Sequence, residues 1–116
     1  MAIAVTTTKN TMATYYGTLG TYVGLATGAP GSTSTPSSEN TGGSPAYARI
    51  ATTWGGAAAG AITGSACTIN TPAATLTYVI LASAVSGNNM IDNASITSVV
   101  MSGQGQVVVT PTYTQT

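Results

Sequence analysis

The apolar run at residues 76–83, LTYVILAS, constrains the fold more than any other stretch of the chain. As a strand it carries Leu76, Tyr78 and Ile80 on one face and Val79 and Leu81 on the other, because side chains alternate along an extended backbone. A strand apolar on both faces has no solvated side, so it is either central in a sandwich or covered by a neighbouring subunit.

The flanking segments supply its partners. Residues 22–27 read as a strand. Residues 46–54 alternate, with Tyr47, Arg49, Ala51 and Thr53 set against Ala48, Ile50, Thr52 and Trp54, which places Trp54 on the core side. Residues 65–69, 94–101 and 106–113 follow as further strands. Turn signals separate them: an Ala/Gly-rich stretch at 55–64, Pro72 within 70–74, Gly87 within 86–89, and Ser-Gly-Gln-Gly at 102–105, which reads as a hairpin connection. Pro111 cannot donate to a ladder and marks the last strand as an edge. Roughly six short strands spaced about 8 to 12 residues apart predict a mainly β domain, an antiparallel sandwich or barrel-like fold.

One short helix is expected ahead of the strands. Within residues 7–19, Met12, Tyr15, Tyr16 and Leu19 recur at i, i+3, i+4 and i+7, with Thr or Asn available as N-cap and Gly20 as the stop. Residues 1–8 read as an extended arm. Residues 28–45 hold three of the five prolines among Gly, Ser and Thr. Such a composition buries too little apolar area to order itself, and a loop of this length is either a linker or a contact.

At 116 residues the chain has room for one domain, residues 1–116, with a modest core. Only 3% of it is charged, namely Lys9, Glu39, Arg49 and Asp92, against about 25% in an ordinary soluble domain. Two cations cannot neutralise a run of phosphates or hold an anionic bilayer, so neither nucleic acid nor a membrane is an expected partner. A net charge of zero also removes the repulsion that keeps molecules apart, which favours association with protein surfaces, other copies of the same chain included. No apolar run approaches the roughly 20 residues of a membrane span. The opening MAIAVTTTKN lacks the basic start and sustained apolar region of a secretory signal, so the sequon at Asn93-Ala94-Ser95 reads as a chance match.

Catalysis is not expected. Without histidine, Cys67 and the serines lack their usual base. Glu39 and Asp92 are the one carboxylate pair on offer, and they read as solvated acids in the long loop and beside a turn. One cysteine and no histidine make no zinc site, and Asp92 with Asn88 and Asn89 would hold calcium weakly. Gly103-Gln104-Gly105 belongs to no phosphate-binding fingerprint. No catalytic, cofactor-binding or metal-binding residue is therefore assigned. Cys67 reads as a small buried hydrophobe in a strand.

Four segments carry a resemblance: VGLATGAPG at 23–31, GGSPAYAR at 42–49 with Thr53 and Trp54 after it, TINTPAATLTYVILAS at 68–83 and GQGQVVVTPT at 103–112. Together they resemble the small virion proteins of tailed bacteriophages, variously described as tail fibre, minor tail or capsid decoration proteins. GGSPAYAR with the following Thr-Trp is the specific part. The resemblance implies a short helix before the first strand and a place in a virion assembled from proteins made in the bacterial cytoplasm. The role it implies is that of a decoration or cement protein, bound non-covalently to the major capsid protein on the capsid exterior as a homotrimer. The alternative is a tail or head fibre component that attaches to host-surface glycans through Tyr15, Tyr16 or Tyr113.

The candidate structural or inter-subunit contacts are Gly42, Gly43, Pro45, Tyr47, Arg49 and Trp54. The glycine pair allows backbone angles that other residues resist, and Pro45 gives a rigid lead into the next strand. Arg49, with its planar fork, either reaches a neighbour's carboxylate or carbonyl groups or anchors the loop within its own chain.

Overall fold

The computed structural model describes residues 2–116. One helix, α1 (Thr6–Leu19), precedes eight strands: β1 (Tyr22–Ala26), β2 (Ile50–Ala51), β3 (Ala61–Thr63), β4 (Cys67–Thr71), β5 (Ala74–Ala82), β6 (Met90–Met101), β7 (Gly105–Val109) and β8 (Thr112–Thr114). Every ladder is antiparallel. The protein is thus mainly β with one short helix, as the turn spacing implies.

The doubly apolar strand, β5, is central. The largest sheet runs β2-β1-β5-β6, with Val23 opposite Leu81 and Leu25 opposite Val79. Facing it is the β4–β7 ladder, in which Cys67 opposes Val109 and Ile69 opposes Val107. Val23, Leu25, Cys67, Ile69, Leu76 and Leu81 fill the space between the two layers. A third ladder joins β3 to β8.

Alternation along β5 breaks once. A register shift between Leu76 and Tyr78 turns Leu76 to the core side with Val79 and Leu81, and leaves Tyr78 and Ile80 on the opposite face with Ala26 and Met90. That second face is covered by the chain's own loop. Gly24, mid-way along β1, permits the close approach: a Cβ there would collide with the Tyr47 hydroxyl and lie 2.9 Å from Ile80 and 3.1 Å from Arg49. Both faces of β5 are therefore covered within one chain.

Several expected elements differ in detail. Residues 102–105 do not close a hairpin, since β6 pairs with β5 and β7 with β4, so this turn carries the chain from one layer to the other. Pro111 splits the last expected strand into β7 and β8, which take different partners. The Ala/Gly-rich stretch contains β3, and β4 lies two residues later than expected. Within residues 46–54 only β2 and two isolated pairings, Ala46 with Gly43 and Trp54 with Gly64, survive, because Arg49 turns inward to the loop while Thr52 is buried against the other layer.

The helix corrects the expectation about its face. Met12, Tyr15 and Leu19 are exposed, and Ala13 and Gly17 are buried. A Cβ on Gly17 would sit 3.1 Å from Ile62 and 3.2 Å from Trp54, so the helix docks by its smallest side chains. Its N-cap is Val5, with no side-chain cap. Of the expected arm, residues 6–8 are helical and Met1 lies outside the described residues.

Candidate functional site

Arg49 is the centre of the covered face. Its side chain is 1% exposed and that of its partner Glu39 19%. Nε donates to Oε2 and Nη2 to Oε1 of Glu39, each at 2.8 Å, a bidentate pairing. Nη1 donates to the Ala84 carbonyl at 3.1 Å and to Asn89 Oδ1 at 2.7 Å, and Nη2 to the Gly87 carbonyl at 3.0 Å. All five guanidinium N–H groups are thereby engaged within the chain. This is the geometry of intrachain anchoring, the second of the two readings of Arg49. The hydrogen bonds it donates to Glu39 push the guanidinium pKa still higher, so it stays charged.

Tyr47 closes the same node. Its hydroxyl donates to Glu39 Oε2 at 2.7 Å and accepts the Leu25 N–H at 3.0 Å. Burial first, then the Glu39 carboxylate, holds the phenol well above the usual tyrosine range. Glu39 is therefore not a solvated loop acid. Backbone bonds also order the loop against the sheet: Asn40 N–H to the Leu25 carbonyl at 2.9 Å and Met90 N–H to the Ser34 carbonyl at 3.0 Å. The Asn40 amide donates to Thr71 Oγ1 at 2.6 Å, a buried bond. Hydrogen bonding supplies here what apolar burial could not.

Gly42 and Gly43 have φ of +85° and +98°, the left-handed region that favours glycine. Gln104, from the β6–β7 turn, docks the segment: Oε1 accepts the Ser44 N–H and Nε2 donates to the Pro45 carbonyl, both at 3.0 Å. A Cβ on Gly43 would lie 2.6 Å from Gln104 Oε1.

A cleft of about 340 Å³ lies on the other side of β5, between β5–β6 and residues 109–114. Aromatic rings close one end. Tyr16 stacks on Tyr113 with centroids 3.6 Å apart and planes 8° apart, and meets Trp54 edge-on at 6.3 Å and 72°. The Tyr16 hydroxyl donates to Asp92 Oδ2 at 2.7 Å, Tyr113 Oη to Gln115 Oε1 at 2.8 Å, and Trp54 Nε1 to the Gly20 carbonyl at 2.9 Å. Burial, reinforced by Asp92, holds the Tyr16 phenol far above its ordinary range.

Of the six candidate residues, Tyr47 and Arg49 meet at Glu39, Gly43 and Pro45 lie against Gln104, and the Gly42 carbonyl accepts the Tyr47 N–H at 2.8 Å. Trp54 stands apart, half-buried at the cleft. Sequence reasoning missed Glu39, Asn89 and Gln104 as partners. For Glu39 there was a signal: so few acids are available that a strand arginine has almost no other carboxylate to meet.

Among the described residues, no three His, Cys, Asp or Glu side chains come together as a metal site would require, and no helix is long and apolar enough to cross a membrane. Cys67 is free and buried, and burial pushes its thiol pKa up, away from the reactive thiolate. Comparison with protein-family models, with curated proteins and with solved structures gives no match.

Proposed function

We propose that the protein is a structural subunit of a bacteriophage virion, a capsid decoration protein that binds the major capsid lattice non-covalently as a homotrimer on the capsid exterior. The role is mechanical: area buried between neighbours resists pressure from within. One observation carries the reading. Half of the charge is withdrawn from the surface, since Arg49 and Glu39 neutralise each other inside the fold and leave only Lys9 and an Asp92 that already accepts from Tyr16. What remains for a partner is hydroxyl and amide surface with exposed Val85, Val100 and Val108, a surface suited to packing rather than to charge steering.

Tyr15 favours a second reading, a tail or head fibre component that attaches to host-surface glycans. It is the exposed tyrosine at 62%, whereas Tyr16 and Tyr113 turn their rings to each other. Mixing the purified chain with capsids that lack it, then sedimenting at low and high salt, tests the first reading: co-sedimentation should be nearly indifferent to salt. Labelled virions imaged by electron microscopy should carry the protein all over the head. Label confined to the tail transfers the assignment to the fibre reading, and label on neither removes both.

A further inference from the structure

The cleft beside Tyr16 opens between strands that each lack a partner on one side. β6 is the outer strand of the large sheet, its edge met at Met90 by the Ser34 carbonyl and open beyond, and β8 pairs with β3 alone. The walls between them are largely apolar, with Val79, Leu81, Ile96 and Val109 among the lining residues, and carry threonine hydroxyls and Asn93 toward the β8 and β6 sides. Asp92 stands exposed at this lining, and the one salt bridge among the described residues does not involve it. An occupant that matches these features is extended, apolar at alternate positions and accompanied by a positive charge.

The N-terminal run at residues 2–5, Ala-Ile-Ala-Val, has that chemistry. It lies outside every helix and strand, and extension would put Ile3 and Val5 on the same side. Val5 is already extended, with φ −90° and ψ 117°, and is 59% exposed. Lys9 follows about one helical turn later, and it too is outside the one salt bridge among the described residues. The arm leaves the helix at Thr6, and Tyr16 lies about 15 Å further along the axis. That offset favours a neighbour's cleft over the arm's own, and to enter it Ile3, half-buried on its own chain, has to leave that contact.

We propose that the cleft receives residues 2–5 of a second copy of this chain, laid along the free edge of β6 with Ile3 and Val5 entering between the layers and the arriving Lys9 close to Asp92. Backbone pairing at the edge supplies affinity, and alternate side chains in the cleft supply register. The inference rests on the reading of the protein as an assembling subunit.

Two measurements on the full chain test it. The double variant I3D/V5D replaces one half-buried side chain and supplies an Asp at the uncapped start of α1, opposing effects that should leave its melting temperature within a few degrees of the parent. Its self-association in sedimentation should weaken by more than about tenfold, because an unpaired carboxylate is costly to bury. The second measurement uses a synthetic peptide of residues 2–9, AIAVTTTK, added to that variant. It should shift the emission of Trp54, the single tryptophan and a lining residue of the cleft, in a saturable way. The same peptide carrying both Asp substitutions should not. Parent-like association of I3D/V5D, or a Trp54 emission that neither peptide moves, overturns the insertion. If a variant with parent-like association still coats capsids, the insertion falls and the decoration reading survives. Saturable peptide insertion together with no capsid binding by the parent leaves the insertion standing and removes the decoration reading.

Discussion

The two faces of the four-stranded sheet are built on different physics. Over one face lies a loop too poor in apolar side chains to order itself by burial, and it is held by an ion pair, the Tyr47 hydroxyl and backbone hydrogen bonds. Over the other lie the β4–β7 ladder, the aromatic rings and an open cleft, held mainly by apolar contact. A chain with four charged residues places two of them where hydrophobic burial is weakest. The contrast predicts that the polar face fails abruptly when one side chain is cut, and that the apolar face fails in proportion to the volume removed.

Arg49→Ala should produce the largest loss, about 3 to 5 kcal/mol, the usual cost of breaking a buried pair and stranding its partner. Chemical denaturation measures it. A loss under about 1 kcal/mol, typical of an exposed ion pair, would erase the distinction between the faces. Trp54→Ala comes next, at about 2 to 3 kcal/mol, because a half-buried ring removes less from water than a fully buried one, for which about 3 to 5 is usual. Trp54→Phe should retain most of this, losing the bond to the Gly20 carbonyl, worth about 1 kcal/mol. Equal losses for the Ala and Phe variants would mean that the hydrogen bond, and not the ring volume, holds this face too.

The same contrast separates what could be read from the sequence from what could not. β1 and β5 are legible because their apolar runs are long enough to demand cover on both sides. The helix was legible in position but not in orientation, since Ala13 and Gly17 are buried for their smallness, and a search for apolar bulk selects Met12, Tyr15 and Leu19 instead. Pairing across 102–105 was unreadable for a different reason: adjacent strands look alike whether they pair with each other or cross between layers. The Arg49 node was half legible. A strand arginine in so apolar a chain needs a partner, but the choice between Glu39 and a neighbouring subunit depended on a loop whose composition gave no sign that it would be ordered.

The pH dependence sharpens the comparison at a smaller scale. Tyr47 is held protonated by burial and by Glu39, above its ordinary range. Beyond about pH 10 the unfolded chain's tyrosine loses its proton while the folded one keeps it. The stability contributed below that pH is therefore lost as pH rises. Tyr47→Phe should cost about 1 kcal/mol at neutral pH through its lost hydrogen bonds, and should flatten the decline that sets in above about pH 10. An unchanged slope would place the alkaline sensitivity on the cleft side, at Tyr16, whose phenol is raised by burial and by Asp92.

Tyr15→Ser should have the smallest effect on stability, within about 0.5 kcal/mol, as is usual for an exposed side chain away from special contacts. Tyr15 shares a helix with Tyr16, yet its ring has no stacking partner and its hydroxyl no hydrogen bond, and the Thr18 hydroxyl bonds only to its backbone carbonyl, so removing the ring leaves both faces of the sheet as they were. That insulation makes it informative. A fold-neutral Tyr15→Ser that still coats capsids like the parent removes the exposed tyrosine from the decoration contact and leaves the valine-bearing strands to carry it. A fold-neutral variant that loses retention on host-surface glycans would assign the helix face to attachment. A melting temperature lowered by several degrees would show instead that the outer side of the helix is covered in the native state, and the division into one closed and one open face would have to be redrawn around α1.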